Sequence, residues 1–394
     1  MRRRGFQAIL VVVVIVVCAA GSGVGESRAS AGFGLQARWA GAVRDLSVAP
    51  DGSVYALSDR GLERFSADGV LLFERADPDL GMGQVAAAPS GVAYVTRGDA
   101  VDEFSPAGEL IRSWSVYEPE GVVVAADGTV WVSGRGSGHF SADGVRLPGP
   151  PPGRLELGHA LSIDPAGFLY QSKGIGVVLK YNPRTNRSSV IGDSGSGPGQ
   201  FYAGPGSYPG GPDYAGDATV QSGQRLWVVD HGNGRIESFT LAGVFAGQCA
   251  SPAVERPVTV AAAPNGDLYV GEESGEIRRL GPVTGSRTGC HVAPRVDRLR
   301  VRYERHRSRV LGAITLSERA GVQITLTRNS SGVPKEPFFY KPFLITHRRA
   351  ARGRNTFQIT RRLKPGVYQV SVTPTTRDHR LGATATADFT VRGR

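Results

Sequence analysis

The chain has little cysteine, methionine or lysine. Of its 394 residues three are Cys and two are Met, and only 5 of the 46 basic residues are Lys. The arginine bias points to a GC-rich bacterial genome more than to a function. No His-Glu-x-x-His, Walker loop or Cys-x-x-Cys pair occurs, so the usual sequence marks of a zinc hydrolase, a phosphate-cradling loop and a dithiol site are all missing. The apolar run Ala8–Ala20 has thirteen residues, too few to cross a bilayer comfortably, which takes about 20.

That run lies between Arg2–Arg4 and Ala29-Ser30-Ala31, so residues 1–31 read as an export signal with charged, apolar and small-residue parts. Arg3-Arg4-Gly5-Phe6 has the form of a twin-arginine signal, although its Val-rich core is more apolar than such signals carry. Val17 before Cys18 argues against lipoprotein processing. Plain secretion with a mature N-terminus at Gly32 is expected, an uncleaved anchor being the alternative. Cys249 and Cys290 then remain, 41 residues apart. In an oxidising compartment they are expected to form one disulfide, joining near-equivalent places on neighbouring repeats.

What the chain has in abundance is glycine, 54 residues, set in turns that recur. Ala49–Gly52, Ala88–Gly91, Ala125–Gly128, Asp164–Gly167, Gln221–Gly223 and Ala263–Gly266 are each followed by a β-rich run, such as Val-Tyr-Ala-Leu or Leu-Trp-Val-Val. Asp-Gly and Asn-Gly supply the positive φ that hairpins need. A second turn follows at Ser66–Gly69, Ser105–Gly108, Ser141–Gly144 and Thr240–Gly243. Two hairpin turns imply four antiparallel strands per unit. The first-turn glycines stand at 52, 91, 128, 167, 223 and 266. A period near 40 predicts an all-β, six-bladed β-propeller over residues 32–294. Its ring is expected to be closed by Leu35–Trp39 as the outer strand of the last blade.

One repeat carries a fuller signature. Asp230–Phe239, DHGNGRIESF, resembles the D-x-x-N-x-R-I-x-x-F core of NHL-repeat propellers, and Ser196–Phe201, SGPGQF, resembles the linker before such repeats. Asp230 and Asn233 are expected to bond turn amides while Arg235 pairs back to Asp230.

Residues 295–394 differ in character. They hold seven candidate strands, and Leu363–Thr376 joins a Pro-Gly turn to an alternating strand. The pattern resembles immunoglobulin- or fibronectin-type β-sandwiches at the ends of bacterial secreted proteins. Charge is divided unevenly: residues 32–294 carry a net −8 and residues 295–394 a net +16. An anionic cell-wall or lipid surface is the expected partner of this module. Nucleic acid is disfavoured, because the densest basic run, Ile345–Arg354, lacks interleaved aromatics.

Gly192-Asp193-Ser194-Gly195 matches the short nucleophile motif of trypsin-like proteases. It lies among Gly and Ser residues and lacks the base and acid such chemistry requires. Six-bladed propellers also include metal-assisted lyases and lactonases, so the channel mouth matters. His159, Glu120 and Arg44 align at the start of their inner strands, with Gly83, Gly216 and Val258 in the other repeats. One His, one Glu and one Arg fall short of a three-ligand zinc set. The long loop after blade four offers Tyr202, Tyr208 and Tyr214 as a binding lip, since Tyr gives contact area and a hydroxyl at low entropy cost. The sequence therefore predicts a secreted or cell-surface, bacterial, non-catalytic binding or scaffold protein. A glycan, peptide or protein would sit on the propeller face, and no cofactor or metal is called for. The alternative is a lyase or lactonase using the propeller channel.

Overall fold

The computed structural model describes residues 32–41, 43–149, 155, 160–173, 176–202, 215–221, 224–283, 290–292, 294–329, 340–375, 382 and 384–392. The expected export signal, His159, Tyr208 and Tyr214 lie outside the described residues. The described residues form strands and turns, with short 3-10 segments at Pro78–Met82, His231–Asn233 and Arg305–Arg307. Among the described residues no helix is long and apolar enough to cross a membrane. Contacts divide the chain into a unit at Ala29–Val292 and one containing Ala293–Arg394.

The first unit is a β-propeller. Its first sheet is a simple meander of Asp45–Val48, Val54–Ser58, Gly61–Phe65 and Leu71–Ala76. The second, third and fourth sheets repeat this order, starting from Val85–Ala87, Pro119–Val124 and Leu161–Ile163. The fifth starts from Ala215–Gln221 and gains a fifth strand, Cys290–Val292. The sixth combines Pro257–Ala262, Leu268–Glu272 and Glu276–Val283 with the N-terminal strand Gly32–Ala40. Each sheet's first strand touches the first strand of the next, and the sixth touches the first, so the ring closes on itself. Pairing of Gly32–Ala40 with Glu276–Val283 stitches the two ends of the ring together without leaving a frayed seam.

The second strands are mostly apolar because both faces of each sheet are covered by neighbours: Val54–Ser58 and Leu268–Glu272 are buried at every position. Tyr55, Tyr94, Tyr170 and Tyr269 are almost fully buried there. A buried phenol needs a partner, and each finds one on a turn of a neighbouring sheet. Tyr94 donates to the Ala142 carbonyl at 3.1 Å and Tyr269 to that of Ala67 at 3.1 Å. The second turns need glycine for two reasons. Gly69 has φ +85°, and a Cβ there would stand 2.6 Å from the ring of Trp39 in the closing strand. Gly144 meets Trp114 of the preceding sheet in the same way.

Cys249 and Cys290 are disulfide-bonded, but they are not equivalent points on two repeats. After the sixth sheet the chain returns to the fifth, and Cys290–Val292 pairs antiparallel with Phe245–Cys249, placing Cys290 opposite Cys249.

The second unit has two antiparallel sheets. One is ordered Val296–Glu304, Arg309–Leu316, Gly353–Thr360; the other Tyr340–Ala350, Ala320–Asn329, Gly366–Thr375, Ala385–Val391. Alternation sets the core: Val310, Ile314 and Leu316 of one sheet join Ile324, Val370, Val372 and Phe389 of the other in one cluster. Ile324 is fully buried there, so Ile324→Ala would cost about 2–5 kcal/mol.

Candidate functional site: the axis of the ring

The pairings Leu46↔Ala56, Ala218↔Val228 and Val260↔Val270 put Asp45, Asp217 and Thr259 at one level of the inner strands. Each side chain reaches the next sheet. Asp45 Oδ2 accepts the amide of Val85 at 2.7 Å, and Ser47 Oγ accepts that of Ala87 at 2.9 Å. The fifth sheet repeats this. Asp217 Oδ2 accepts the amide of Val260 at 2.9 Å, and Thr219 Oγ1 that of Ala262 at 3.2 Å. Thr259 Oγ1 accepts the amide of Leu46 at 3.2 Å, which carries the stitch from the sixth sheet to the first. Inner strands in neighbouring sheets do not share a ladder, so these side chains satisfy backbone donors that would otherwise stay unpaired.

Thr259 also lies between the two carboxylates. Its Oγ1 is 2.6 Å from Asp217 Oδ2 and 3.3 Å from Asp45 Oδ1. A hydroxyl has one proton to give, and the shorter contact claims it for Asp217. Burial raises the pKa of both acids, and for Asp45 the charge of Asp217 adds to the rise. Asp45 is pushed well above its ordinary value, first by burial and then by that neighbouring charge.

Asp45, Val85, Val122, Ser162, Asp217 and Val260, one from each inner strand, help to line an axial cavity of about 110 Å³. That volume suits a few waters; organic ligands fill sites of about 300–1,000 Å³. The described part of the axis therefore holds a small cavity with Asp45 and Asp217 in its wall. Among the described residues no three His, Cys, Asp or Glu side chains converge as a metal would require.

The residues singled out from sequence are dispersed. Arg44 is exposed and pairs with Asp59. Glu120 is half-buried, and its carbonyl accepts from Thr96 Oγ1 at 3.4 Å. His159 lies outside the described residues, so the trio is not assembled by anything described. Tyr202 is half-buried; its amide donates to Asp230 Oδ1 at 2.9 Å, and its ring lies against Gly232. His139 stacks on Trp131 with ring centroids 4.0 Å apart, and His231 is buried with Nδ1 3.0 Å from the Pro257 carbonyl. Ser194 is exposed in a two-residue parallel bridge to Phe201.

Sequence reasoning passed over Asp45, Asp217 and Thr259 because it tested the position one residue earlier. A signal was there: Asp45-Leu-Ser-Val and Asp217-Ala-Thr-Val are the same Asp-x-Ser/Thr-Val word in two inner strands.

The signature of the fifth sheet works differently from its expected role. Arg235 does pair with Asp230, Nε to Oδ2 at 2.7 Å. The rest of the network grips the preceding linker and not the turn itself. Arg235 Nη2 donates to the carbonyls of Gly197 at 2.9 Å and Gln200 at 2.8 Å. Asn233 Nδ2 donates to the Gly195 carbonyl at 3.0 Å and to Asp230 Oδ2 at 2.8 Å. Gly199 donates to Glu237 Oε1 at 3.2 Å. Glu237 lies 3.2 Å from Arg235, yet burial outweighs that cation, which Asp230 already neutralises, and its pKa rises to about 8.

No family model matches the chain. It is 26% identical over 180 residues to NHL repeat-containing protein 3 of Homo sapiens, a match spanning 38% of this chain and 49% of that protein, about half the length of the relative. Among solved structures it is similar to virginiamycin B lyase from Staphylococcus aureus, with 16% identity, 66% of this chain and 88% of the other covered, and a TM-score of 0.43. A streptogramin B lyase structure gives 14% identity, 65% and 99% coverage and a TM-score of 0.43. The curated relative is an NHL-repeat protein, and the ring of sheets described above is a propeller.

Proposed function

We propose that the protein is a secreted or cell-surface, non-catalytic binding protein. In this reading each of the six sheets is one blade of an NHL-type propeller, and the second unit is an immunoglobulin-like sandwich that contacts an anionic surface. Loops at a propeller mouth would take a glycan, peptide or protein, with Tyr202, Tyr208 and Tyr214 as the contacts to test. The observation that carries the reading is the state of the axis. Its two buried carboxylates are engaged by backbone amides and by Thr259, and the space between the inner strands is too small for an organic substrate. Polar groups at the centre thus hold blades together, which leaves the loops for recognition.

The test uses purified chain 32–394 on an array of wall polymers, glycans and peptides, alongside turnover assays of lactones and cyclic depsipeptides with added divalent metals. Saturable binding without turnover is expected, and His159→Ala should change no activity. Metal-dependent turnover abolished by His159→Ala or Glu120→Gln would replace this reading with a lyase or lactonase.

A further inference from the structure

One outer face of the second unit carries a row of arginines. Along Val296–Glu304, Leu299 and Val301 point into the core, so Arg298, Arg300 and Arg302 point out. The register continues across the sheet: Arg298 stands opposite Thr315, and Thr315 opposite Arg354. Arg300 and Arg302 face Ala313 and Leu311 of the middle strand. The result is a row of three arginines above a floor of smaller, uncharged residues, with Arg354 on the far bank. The opposite outer face of the unit carries Gln323, Thr325, Ser371 and Thr373 along its middle, with Arg349 and Asp388 on the flanking strands.

Arginines are normally neutralised by neighbours, and here most are not. Glu304 takes Arg302 at 3.2 Å and Arg309 at 2.6 Å, at one end of the row. Arg298, Arg300 and Arg354 are exposed, and no described residue pairs with them. Successive outward positions on a strand repeat at about 6.7 Å. A phosphodiester chain linked through a three-carbon unit presents its charges on the same scale, whereas a lipid surface presents them without order. The outward positions of these strands hold Arg, Thr, Gln, Ala, Leu and, at one end, Glu304, and no aromatic ring. That composition lacks the Trp and Tyr anchors of membrane-surface proteins and the platforms on which bases stack.

We propose that this face binds an extended, base-free phosphodiester polymer lying along the strand, with Arg298 and Arg300 taking successive phosphates and Arg354, across the middle strand from Arg298, flanking the first of them. The inference rests on the reading of the second unit as an anion-contacting module and narrows it to one face and one occupant. A guanidinium suits the task because its fork of donors can take two oxygens of one phosphate.

The experiment titrates the chain 32–394 with poly(glycerol phosphate) over a salt series. Parallel titrations use phosphatidylglycerol vesicles, which carry the same headgroup without a chain, and oligo-dT, which has the chain with bases. Tightest binding to poly(glycerol phosphate) is expected. Arg298→Gln/Arg300→Gln/Arg354→Gln should weaken it at least about tenfold and flatten the salt slope by about 2, at roughly 0.7–0.9 per lost phosphate contact. The lysine triple at the same positions should keep the slope while losing part of the affinity. A comparison triple, Arg348→Gln/Arg349→Gln/Arg352→Gln, removes equal charge from exposed positions around the connection from Tyr340–Ala350 to Gly353–Thr360 and should stay within about threefold of the parent. Thermal melts of each variant separate misfolding from lost contacts, and the lysine triple keeps the test decisive if the glutamine triple is unstable. Equal losses from the two glutamine triples would overturn the face assignment. Tighter binding to vesicles or oligo-dT would overturn the occupant. Failure of the parent to bind any of the three would remove the anionic-surface reading itself.

Discussion

Thr259 gives its hydroxyl proton to Asp217 at 2.6 Å while the same oxygen accepts the amide of Leu46 at 3.2 Å. One side chain thus joins the fifth, sixth and first sheets, at the seam where the ends of the ring meet. Thr259→Val keeps the shape and removes both bonds, leaving an amide and a carboxylate oxygen short of partners in a buried place. A loss of about 1–3 kcal/mol in propeller stability is expected, with Thr259→Ser restoring most of it. All four Trp residues belong to the first unit, so tryptophan fluorescence during urea unfolding reads the propeller alone. Equal midpoints for Val and Ser variants would show that the hydroxyl is not a stitch.

Stability of the propeller should also fall as pH rises. Asp45, Asp217 and Glu237 all have folded-state pKa values raised by burial, Glu237 to about 8. A carboxyl whose pKa is higher in the folded state binds more protons there than when unfolded. Its stabilising contribution is complete below the unfolded value, near pH 4, and is lost as pH climbs through the folded one. The fluorescence-monitored midpoint should therefore decline between about pH 5 and pH 9. Glu237→Gln should flatten the upper part of that decline, and Asp45→Asn the part contributed by the axial pair. A midpoint that rises with pH in the parent, or identical profiles in parent and variants, would contradict the assignment.

Much of the fold was legible because its signals are local. Asp-Gly and Asn-Gly turns fix hairpins within a few residues, and the closing role of Leu35–Trp39 follows from a repeat that ends without beginning. The route of Cys290 was not legible. It depends on the chain returning to the fifth sheet after finishing the sixth, and three residues of strand carry no local mark of which edge they join. The site was harder for the same reason. Asp45, Asp217 and Thr259 are far apart in sequence and meet only when the ring closes. The repeated Asp-x-Ser/Thr-Val word was readable, but its partners, the amides of the next sheet, have no sequence identity at all.

The linker before the fifth sheet is held by Arg235, whose guanidinium joins Asp230 to the carbonyls of Gly197 and Gln200. Arg235→Lys keeps a charge near Asp230 but loses the fork that reaches three partners. It should weaken the propeller by about 1–3 kcal/mol and expose residues 195–200 to proteolysis before the sheets unfold. Limited digestion with mass mapping checks this. An unchanged cleavage pattern would mean that the network does not hold the linker.

The disulfide makes the last prediction. Its two ends lie 41 residues apart and face each other at the edge of the fifth sheet. The enclosed segment includes the whole of the sixth sheet's own contribution, Pro257–Val283. That sheet is also the one completed by the N-terminal strand, so the bridge secures the blade on which closure depends. The loop-entropy relation gives about 4 kcal/mol for a loop of this size, with the attribution to entropy being model-dependent. Cys249→Ala/Cys290→Ala should lower the urea midpoint accordingly. Its distinctive effect should be local: amides of Pro257–Val283 and of Gly32–Ala40 should exchange with deuterium faster, while those of the second and third sheets change little, because opening begins where the ring is joined. Thiol titration under denaturing, non-reducing conditions should find neither Cys249 nor Cys290 free in the purified chain. Two free thiols would remove the bridge, and a uniform rise in exchange across all six sheets would remove its role as the clamp of the closing blade.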